Sequence, residues 1–236
     1  MKNPDLRIVT WNVNSVRKRL GLLGRLVETL DPDVICLQET KVTDDLFPDL
    51  AIEALGYTHR LVHGQKGYNG VAILSRRPFL KTATRPWCGR PDCRHASALI
   101  DSGGGLGAVE VHSLYIPAGG DLANPERNPK FAHKLDFLDE GARWSRARRR
   151  GRPAVLCGDF NVAPLETDVW SHAKMRKVIS HTEPEIERLN RMQAAGRWID
   201  AIRRLKPEPE PVYTWWSYRA ADWTAVDRSR RLDHVW

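Results

Sequence analysis

The segment Asp31-Pro32-Asp33-Val34-Ile35-Cys36-Leu37 joins a helix-breaking turn to a short, continuous apolar run. A run of this kind is typical of a strand that is buried on both faces of a sheet. Before the turn, apolar residues recur at the spacing of one helix face, at Val16, Leu20, Leu23, Val27 and Leu30. Before that helix, residues 7–11 have the composition of another strand. The chain therefore opens with a strand, a helix and a buried strand, which is typical of α/β proteins.

The same mixture of strands and helices continues to the end of the chain. Further strands are predicted at residues 58–63, 70–74, 96–100, 108–116, 154–157, 213–218 and 231–236. Helices are predicted at residues 128–149, 185–194 and 198–205. The glycine run at 103–105 indicates a hairpin loop, so hairpins occur beside helical crossovers. With no boundary or repeat signal, the pattern predicts a single domain, residues 1–236, with strands in more than one sheet.

Composition narrows the class of protein further. The chain has 236 residues, and a hydrophobic content of 42% is enough to bury a core. No run approaches the roughly 18 apolar residues that a membrane span requires, and Cys36 and Cys157 lie in apolar runs as buried thiols do. We therefore expect a reduced, cytoplasmic protein with no membrane partner. The net charge of 37 − 29 = +8 favours a polyanionic partner weakly, and we interpret the arginine-rich run at 143–152 as a solvated helix end.

Polar residues follow the strand-like apolar runs at comparable positions, at Asn12, Glu39, Asp159, Asn161 and Asp233. Taken singly, such residues more often lie on the surface or form turns. Sheets present binding groups at rims of this kind, and carboxylate and carboxamide oxygens suit Mg²⁺ or Mn²⁺ rather than zinc. The set therefore predicts a hard-cation site at a sheet edge, where the cation offsets the charge of a phosphate.

Seven sequence blocks carry a more specific signal. They include Gln38-Glu39-Thr40-Lys41, Gly158-Asp159-Phe160-Asn161 and Tyr213-Thr214-Trp215-Trp216, and the seven lie at residues 10–17, 37–41, 63–73, 114–117, 158–164, 213–219 and 231–233. In content and order they resemble the exodeoxyribonuclease III family of abasic-site endonucleases, within the endonuclease/exonuclease/phosphatase superfamily. The resemblance implies a four-layer α/β sandwich, in which two mixed β-sheets pack face to face and helices flank them.

The resemblance also implies an activity. The expected enzyme is a Mg²⁺- or Mn²⁺-dependent nuclease that acts as a monomer on double-stranded DNA. It hydrolyses the phosphodiester 5′ to an abasic site, and it has 3′-to-5′ exonuclease and 3′-end-cleaning activities. The alternatives are another phosphoesterase of the superfamily or a non-specific deoxyribonuclease.

Carried over residue by residue, the resemblance implies roles for five side chains near the reaction. Glu39 is expected to be the main metal ligand, helped by Asn12. Asp159 is expected to orient and deprotonate the attacking water. Asn161 is expected to hold that water or the phosphate oxygens. Asp159 and Asn161 are both expected to be metal ligands as well. Tyr115 is expected to contact the scissile phosphate or the leaving oxygen. A tyrosine can donate a hydrogen bond at neutral pH because its unperturbed pKa is about 10.

The expected DNA-binding residues are Asn14, Arg17, Lys66, Trp215, Arg230 and Leu232. Trp215 matches the aromatic residue of the family's abasic pocket, and Arg230 and Leu232 occupy positions that wall it. An abasic nucleotide has no base to unpair, so it is flipped out at a lower cost, and a tight apolar wall excludes normal nucleotides. The loop that contains Arg90 and Arg94 is expected to be solvated or to touch DNA.

The end of the chain departs from the family pattern. Family members continue past the Leu-Asp strand to a Ser-Asp-His segment with a catalytic histidine, which Asp233 is expected to orient. This chain stops at Trp236, so we expect that C-terminal strands are missing and that the chain is truncated. An inactive DNA-binding fragment is therefore a further interpretation.

Overall fold

The computed structural model describes residues 6–105, 107–148, 151–217 and 228–236, in two compact units. The first unit takes the described residues through Tyr115 together with 151–159, and the second takes those of 116–148 and 160–236. Some predicted segments extend beyond the described residues, at Arg149, Arg150, Tyr218 and Arg219. The assignment of residues 1–236 to a single domain stays a prediction.

The first unit contains two mixed sheets. Its strands are β1 (Ile8–Asn12), β2 (Val34–Gln38), β3 (His59–His63), β4 (Val71–Ser75), β5 (Phe79–Thr84), β6 (His95–Asp101), β7 (Ala108–Tyr115) and β8 (Ala154–Asp159). Its α-helices are α1 (Leu20–Leu30) and α2 (Asp49–Ala54). One sheet has the order β1-β2-β4-β3, and the other includes β5, β6, β7 and β8 in that order. The pairs β1/β2 and β7/β8 are parallel, and the other pairs are antiparallel.

Strand β2 has a continuous apolar run because both of its faces are covered. Ile35 and Leu37 join the buried cluster that includes residues of α1 and α2. On the opposite face, the Gln38 side chain donates a hydrogen bond to Ser113 Oγ of β7 at 3.0 Å, and Cys36 is fully buried, as predicted. Alternate residues of one strand thus bind a helical layer and a second sheet. Truncation of Ile35 to alanine would leave a cavity and cost about 2–5 kcal/mol.

The second unit is mainly helical. Its elements are α3 (Pro129–Ala147), α4 (His172–Met175), α5 (Glu183–Gly196), α6 (Ala201–Leu205) and the strand β9 (Asp233–Val235). Asn128 caps α3, because its side chain accepts a hydrogen bond from the backbone N–H of Lys130 at 3.1 Å. Helices α3 and α5 approach closely at Gly141, where a Cβ atom would lie 2.7 Å from Met192 Sδ. A larger residue at this position would displace the Met192 side chain, so the glycine allows the close helix contact.

The predicted α/β class with two face-to-face mixed sheets is confirmed, and the differences are local. Strand β5 and helix α2 were not expected, and β5 is largely exposed, so it lacks the apolar alternation that marks a half-buried strand. The predicted strand at 213–218 is wrong over residues 213–217, where the ladder is reduced to a bridge between Trp215 and Arg230. Among the described residues, none of the helices is both long and apolar enough to span a bilayer.

Candidate active site

Four polar side chains of the first unit meet at the ends of four strands. Asn12 is the last residue of β1, Glu39 follows β2, and Tyr115 and Asp159 end β7 and β8. Because β1/β2 and β7/β8 are parallel pairs, the carboxyl ends of each pair lie at one edge. The Asn12 side-chain nitrogen lies 2.9 Å from Glu39 Oε1 and 2.8 Å from Asp159 Oδ2. The structure therefore brings together Glu39 and Asp159, as the sequence predicted.

The amide of Asn12 has a fixed orientation. Its Oδ1 accepts a hydrogen bond from the backbone N–H of Asn14 at 3.1 Å, so its NH₂ group is left to donate to both carboxylates. Hydrogen bonds to ionised acceptors are stronger than those between neutral groups. A neutral amide at this position therefore holds two anions near each other without adding charge.

Glu39 is an anion that is held in an uncommon backbone conformation. Its φ of 54° lies in the left-handed region, which costs a residue with a Cβ atom about 1–2 kcal/mol. Its carboxylate accepts a hydrogen bond from the Tyr115 hydroxyl at 2.8 Å and pairs with Lys41 Nζ at 2.7 Å. Burial opposes ionisation, but the hydrogen bonds from Asn12, Lys41 and Tyr115 bring the pKa of Glu39 below its ordinary value.

Tyr115 is the neutral donor of the site. Its side chain is buried, and burial raises the pKa of its hydroxyl well above the ordinary range. The negative charges of Asp159 and Glu39 raise that pKa further, because they disfavour a third anion beside them. The hydroxyl therefore keeps its proton at physiological pH and can donate it in a hydrogen bond to an anionic substrate.

The oxygen atoms of this site fit a hard divalent cation. Glu39 and Asp159 supply carboxylates, the ligand type that Mg²⁺ prefers. The Asn12 amide presents its NH₂ group to both of them, so its role as a further oxygen ligand stays a prediction. No cluster of three or more His, Cys, Asp and Glu side chains suited to a metal occurs within the described residues. Protein ligands would thus form part of a shell, as in Mg²⁺ sites that use one or two carboxylates and keep several waters. Lys41 Nζ pairs with Glu39 Oε2 and donates a hydrogen bond to Asn14 Oδ1 at 2.6 Å. Its ammonium group would therefore compete with a cation for Glu39 Oε2.

A tight turn supports the loop that carries Glu39. The backbone N–H groups of Thr40 and Lys41 donate to the carbonyls of Gly70 and Asn69, at 3.2 and 3.0 Å. Gly70 has a φ of +89°, and a Cβ atom there would lie 2.2 Å from Thr40 Oγ1. A glycine is therefore required at this position, because it has no Cβ atom and tolerates positive φ.

Three of the expected DNA-binding residues are exposed on the first unit. Asn14 and Arg17 follow β1, and Lys66 lies in the loop between β3 and β4. Within the part of the chain that the structure describes, neither Arg17 nor Lys66 has an ion-pair partner. Their charges are therefore available to a polyanion.

Similarity to known proteins covers almost the whole chain. The model of the Endonuclease/Exonuclease/phosphatase family matches residues 9–236. The chain belongs to this family. Exodeoxyribonuclease III of Haemophilus influenzae is 29% identical over 98% of this chain and 86% of its own. As a member of the family, the chain is a hydrolytic enzyme of the nuclease and phosphodiesterase type.

Solved structures of relatives give the same assignment for the fold. An AP endonuclease from Archaeoglobus fulgidus has a TM-score of 0.86 at 29% identity. The 3′ phosphatase NExo from Neisseria, bound to a product DNA hairpin, has a TM-score of 0.85 at 30% identity. In both cases the match covers 98% of this chain and 86% of the other. The relatives of this endonuclease/exonuclease/phosphatase family member are thus an exodeoxyribonuclease, an AP endonuclease and a DNA-bound 3′ phosphatase.

Asn161 lies in the second unit of this family member, in a left-handed conformation with a φ of 53°. Its side-chain NH₂ group donates a hydrogen bond to the backbone carbonyl of Ile116 at 3.0 Å. The backbone carbonyl of Asn161 accepts a hydrogen bond from Lys134 Nζ at 2.7 Å. Lys134 and Glu185 form an ion pair with both side chains fully buried. Sequence reasoning missed this support for Asn161. A signal did exist, since Lys134 lies three residues after Phe131 on the apolar face of α3.

The residues expected to form the abasic pocket also lie in the second unit. The Arg230 guanidinium lies 5.1 Å from the centroid of the Trp215 ring, and its Nη1 donates to Ser180 Oγ at 3.0 Å. Burial lowers the pKa of Arg230, and Leu232 is buried. Arg230 thus places a cation against the aromatic ring, next to the apolar Leu232, and the assignment of these residues to an abasic pocket stays a prediction.

Asp233 begins β9 and carries an unsatisfied oxygen. Its Oδ1 is buried and has no hydrogen-bond partner among the described residues. Burial raises the pKa of Asp233 to about 6, although a hydrogen bond with Thr214 opposes the rise. The next residue, His234, is buried with its Nε2 2.8 Å from the Val162 carbonyl, and burial lowers its pKa to about 3. His234 is therefore a neutral structural residue, and the histidine partner of Asp233 stays a prediction.

Proposed function

We propose that the chain is a divalent-cation-dependent DNA-repair nuclease that hydrolyses the phosphodiester 5′ to abasic sites. The same site would have 3′-to-5′ exonuclease and 3′-end-cleaning activities. The observation that carries this proposal is the Asn12 amide between the Glu39 and Asp159 carboxylates, beside the neutral hydroxyl of Tyr115. Phosphodiester hydrolysis needs a base for the attacking water and donors for the developing negative charge. This group of side chains offers both.

Each side chain has a separate task in this proposal. Glu39, Asn12, Asp159 and Asn161 would hold Mg²⁺ or Mn²⁺, which when bound offsets phosphate charge and lowers the pKa of a coordinated water. Asp159 accepts the proton of the attacking water. Tyr115 donates a hydrogen bond to a phosphate oxygen or to the leaving oxygen. Asn161 orients the water or the phosphate oxygens through its neutral amide.

Asp233 has a supporting task in the proposal. Its buried Oδ1, without a partner among the described residues, supports a role as the acceptor that orients a histidine. A carboxylate beside an imidazole fixes its tautomer and orientation, and it stabilises the protonated form. The histidine would then add a second donor for the developing charge.

Duplex DNA as the substrate is supported by the relatives and by charge. The Archaeoglobus relative is described as an AP endonuclease, and the Neisseria relative as a 3′ phosphatase bound to a product DNA hairpin. The net charge of +8 favours association with a polyanion. We further propose that the enzyme acts as a monomer in the cytoplasm. The proposed DNA-contacting side chains are Asn14, Arg17, Lys66, Trp215, Arg230 and Leu232.

The substitution Asp159→Asn tests the proposal. It removes the base but keeps the shape, so cleavage of a duplex with one abasic site should fall by about 10²–10⁴-fold. Binding to the same duplex, measured by fluorescence anisotropy, should change little. Asp139→Asn is the matched control, because Asp139 lies on α3 in ion pairs with Arg188 and Arg191. Binding that is lost together with cleavage would contradict the assigned role.

Substrate comparison separates the alternatives. Wild-type protein should cleave the abasic duplex, and process a duplex with a 3′-phosphate end, faster than it cleaves an intact duplex with blocked ends. Equal rates on abasic and intact duplexes would favour a non-specific deoxyribonuclease. Hydrolysis of a small phosphomonoester without cleavage of either duplex would favour another phosphoesterase of the family. Salt-sensitive binding without any cleavage would favour a DNA-binding fragment.

A further inference from the structure

Arg94 is a largely buried arginine at the edge of the candidate active site. It directly precedes β6, and its side chain is 11% exposed. A solvated loop arginine would expose its guanidinium group, so the expectation that this position is solvated is wrong. The buried position instead calls for partners inside the first unit.

One partner of Arg94 is Tyr115. The backbone N–H of Tyr115 donates to the Arg94 carbonyl at 2.8 Å, and Arg94 Nη1 donates to the Tyr115 carbonyl at 3.4 Å. The guanidinium carbon lies 4.9 Å from the centroid of the Tyr115 ring, within the range of a cation–π contact. Arg94 therefore contacts the tyrosine through its backbone and through the face of its ring.

Arg94 is itself held in place. Its Nε donates to Asp92 Oδ2 at 2.5 Å, which directs the guanidinium plane. The Asn69 side chain donates to the Asp92 carbonyl at 3.1 Å, and the N–H of Gly70 donates to the Cys93 carbonyl at 3.2 Å. The Asn69–Gly70 turn also supports the loop of Glu39. The Asn69–Gly70 turn therefore supports both Glu39, which accepts the hydrogen bond of the Tyr115 hydroxyl, and Arg94, which lies against the Tyr115 ring.

We propose that Arg94 is a positioning residue that holds the Tyr115 ring in place and makes its hydroxyl a stronger hydrogen-bond donor. A cation over the ring favours negative charge on the phenol oxygen, so the O–H bond becomes more polar. The inference rests on the proposed function, in which Tyr115 donates to a phosphate or leaving oxygen.

A double-mutant cycle tests the kinetic part of this inference. Arg94→Met should lower the single-turnover rate on an abasic duplex by about 5- to 30-fold, the size of a buried cation–π contact. Its KM should stay within about 2-fold of wild type, because a buried guanidinium does not reach the DNA backbone. In the Tyr115→Phe background, the same substitution should change the rate little, because the hydroxyl that it acts on is absent. Arg94→Lys, which keeps the charge, should restore part of the rate.

Arg76→Met is the matched control for loss of an arginine above a tyrosine. The Arg76 guanidinium lies 5.2 Å from the centroid of the Tyr57 ring and pairs with Asp31. This variant should keep the wild-type rate. An equal rate loss from Arg94→Met in both the Tyr115 and the Tyr115→Phe backgrounds would show a general structural role. A rise in KM alone would show a DNA contact, and either result overturns the inference.

A spectroscopic measurement keeps the inference independent of activity. The protein has five tyrosines, so ¹³C-labelled tyrosine rings give few NMR signals, and Tyr115→Phe assigns one of them. Arg94→Met should move the Tyr115 signal, whereas Arg76→Met should leave it in place. An unmoved Tyr115 signal would refute the inference even if the wild type cleaves abasic DNA. Failure of the proposed function is distinct, since the wild type would then leave the abasic duplex intact.

Discussion

At the scale of single residues, the Asn12 amide sets the charge state of the candidate site. It donates to both carboxylates, and its hydrogen bond is one of those that lower the pKa of Glu39. Asn12→Ala should therefore raise that pKa, so Glu39 becomes protonated at a higher pH than in the wild type. The acidic limb of the kcat/KM profile on abasic DNA should move to higher pH. Asn190→Ala, on the exposed face of α5, is the control, and an unmoved limb in Asn12→Ala would contradict the role given to the amide.

Asp233 makes a separate prediction about stability and pH. Its pKa is raised to about 6 in the folded state, so the folded protein prefers the protonated carboxyl. The protonation of Asp233 contributes fully to the free energy of unfolding below the unfolded pKa of about 4. This contribution is lost as the pH rises through about 6. Asp233→Asn removes this titration, so near pH 7 the variant should be more stable than the wild type by about 1–3 kcal/mol. Urea denaturation at pH 4 and pH 7 measures the free energy of unfolding of both proteins. If the variant and the wild type differed by the same amount at both pH values, this explanation would be excluded.

At the scale of elements, the turn at Gly70 connects the loops that carry Glu39 and Arg94. Gly70→Ala must fit a Cβ atom 2.2 Å from Thr40 Oγ1, so Thr40 and its loop have to move. Gly67→Ala is the matched control, because Gly67 has a similar φ of +85° but no atom within 4 Å of the added Cβ. Both variants suffer the cost of positive φ, so Gly70→Ala should lose about 1–3 kcal/mol more than Gly67→Ala. Equal losses in urea denaturation would show that the contact with Thr40 is unimportant.

The elements that sequence predicts well are those with strong periodicity or complete burial. The run at 34–37 is found as β2, and the helix predicted at 128–149 is found as α3, capped by Asn128. Strand β5 was missed because an exposed edge strand needs no apolar pattern. The strand predicted at 213–218 failed because aromatic residues favour strands locally, whereas here Trp215 packs against the Arg230 side chain.

The candidate site was predictable in its residue types but not in its contacts. Polar residues at strand ends indicate a common rim, and Asn12, Glu39 and Asp159 do meet there. No local pattern could indicate that Arg94 packs on Tyr115, because that contact depends on two antiparallel strands and a loop. The position of Lys134 on the apolar face of α3 indicates burial, but no local pattern indicates its pairing with Glu185, which lies on another helix. The contacts that the sequence did not predict are thus those of charged residues with partners that are distant along the chain.

At the scale of the whole molecule, the candidate site depends on folding of the first unit. Its four central side chains come from positions 12, 39, 115 and 159, so an unfolded chain does not hold them together. A ligand of this site therefore stabilises the folded unit as a whole, by about 2.7 kcal/mol at one hundred times its dissociation constant. Binding of a cation can thus be measured as a change in stability, without any substrate.

Mg²⁺ or Mn²⁺ should raise the midpoint of thermal unfolding, and chelation should lower it again. Glu39→Gln should abolish the shift, because it removes the charged oxygen ligand. Lys41→Met should enlarge the shift, because its ammonium group no longer competes for Glu39 Oε2. Asp139→Asn should behave as the wild type, and NaCl at equal ionic strength controls for general screening. If Glu39→Gln kept the full shift, the cation would bind elsewhere, and the assignment of Glu39 as the main ligand would be wrong.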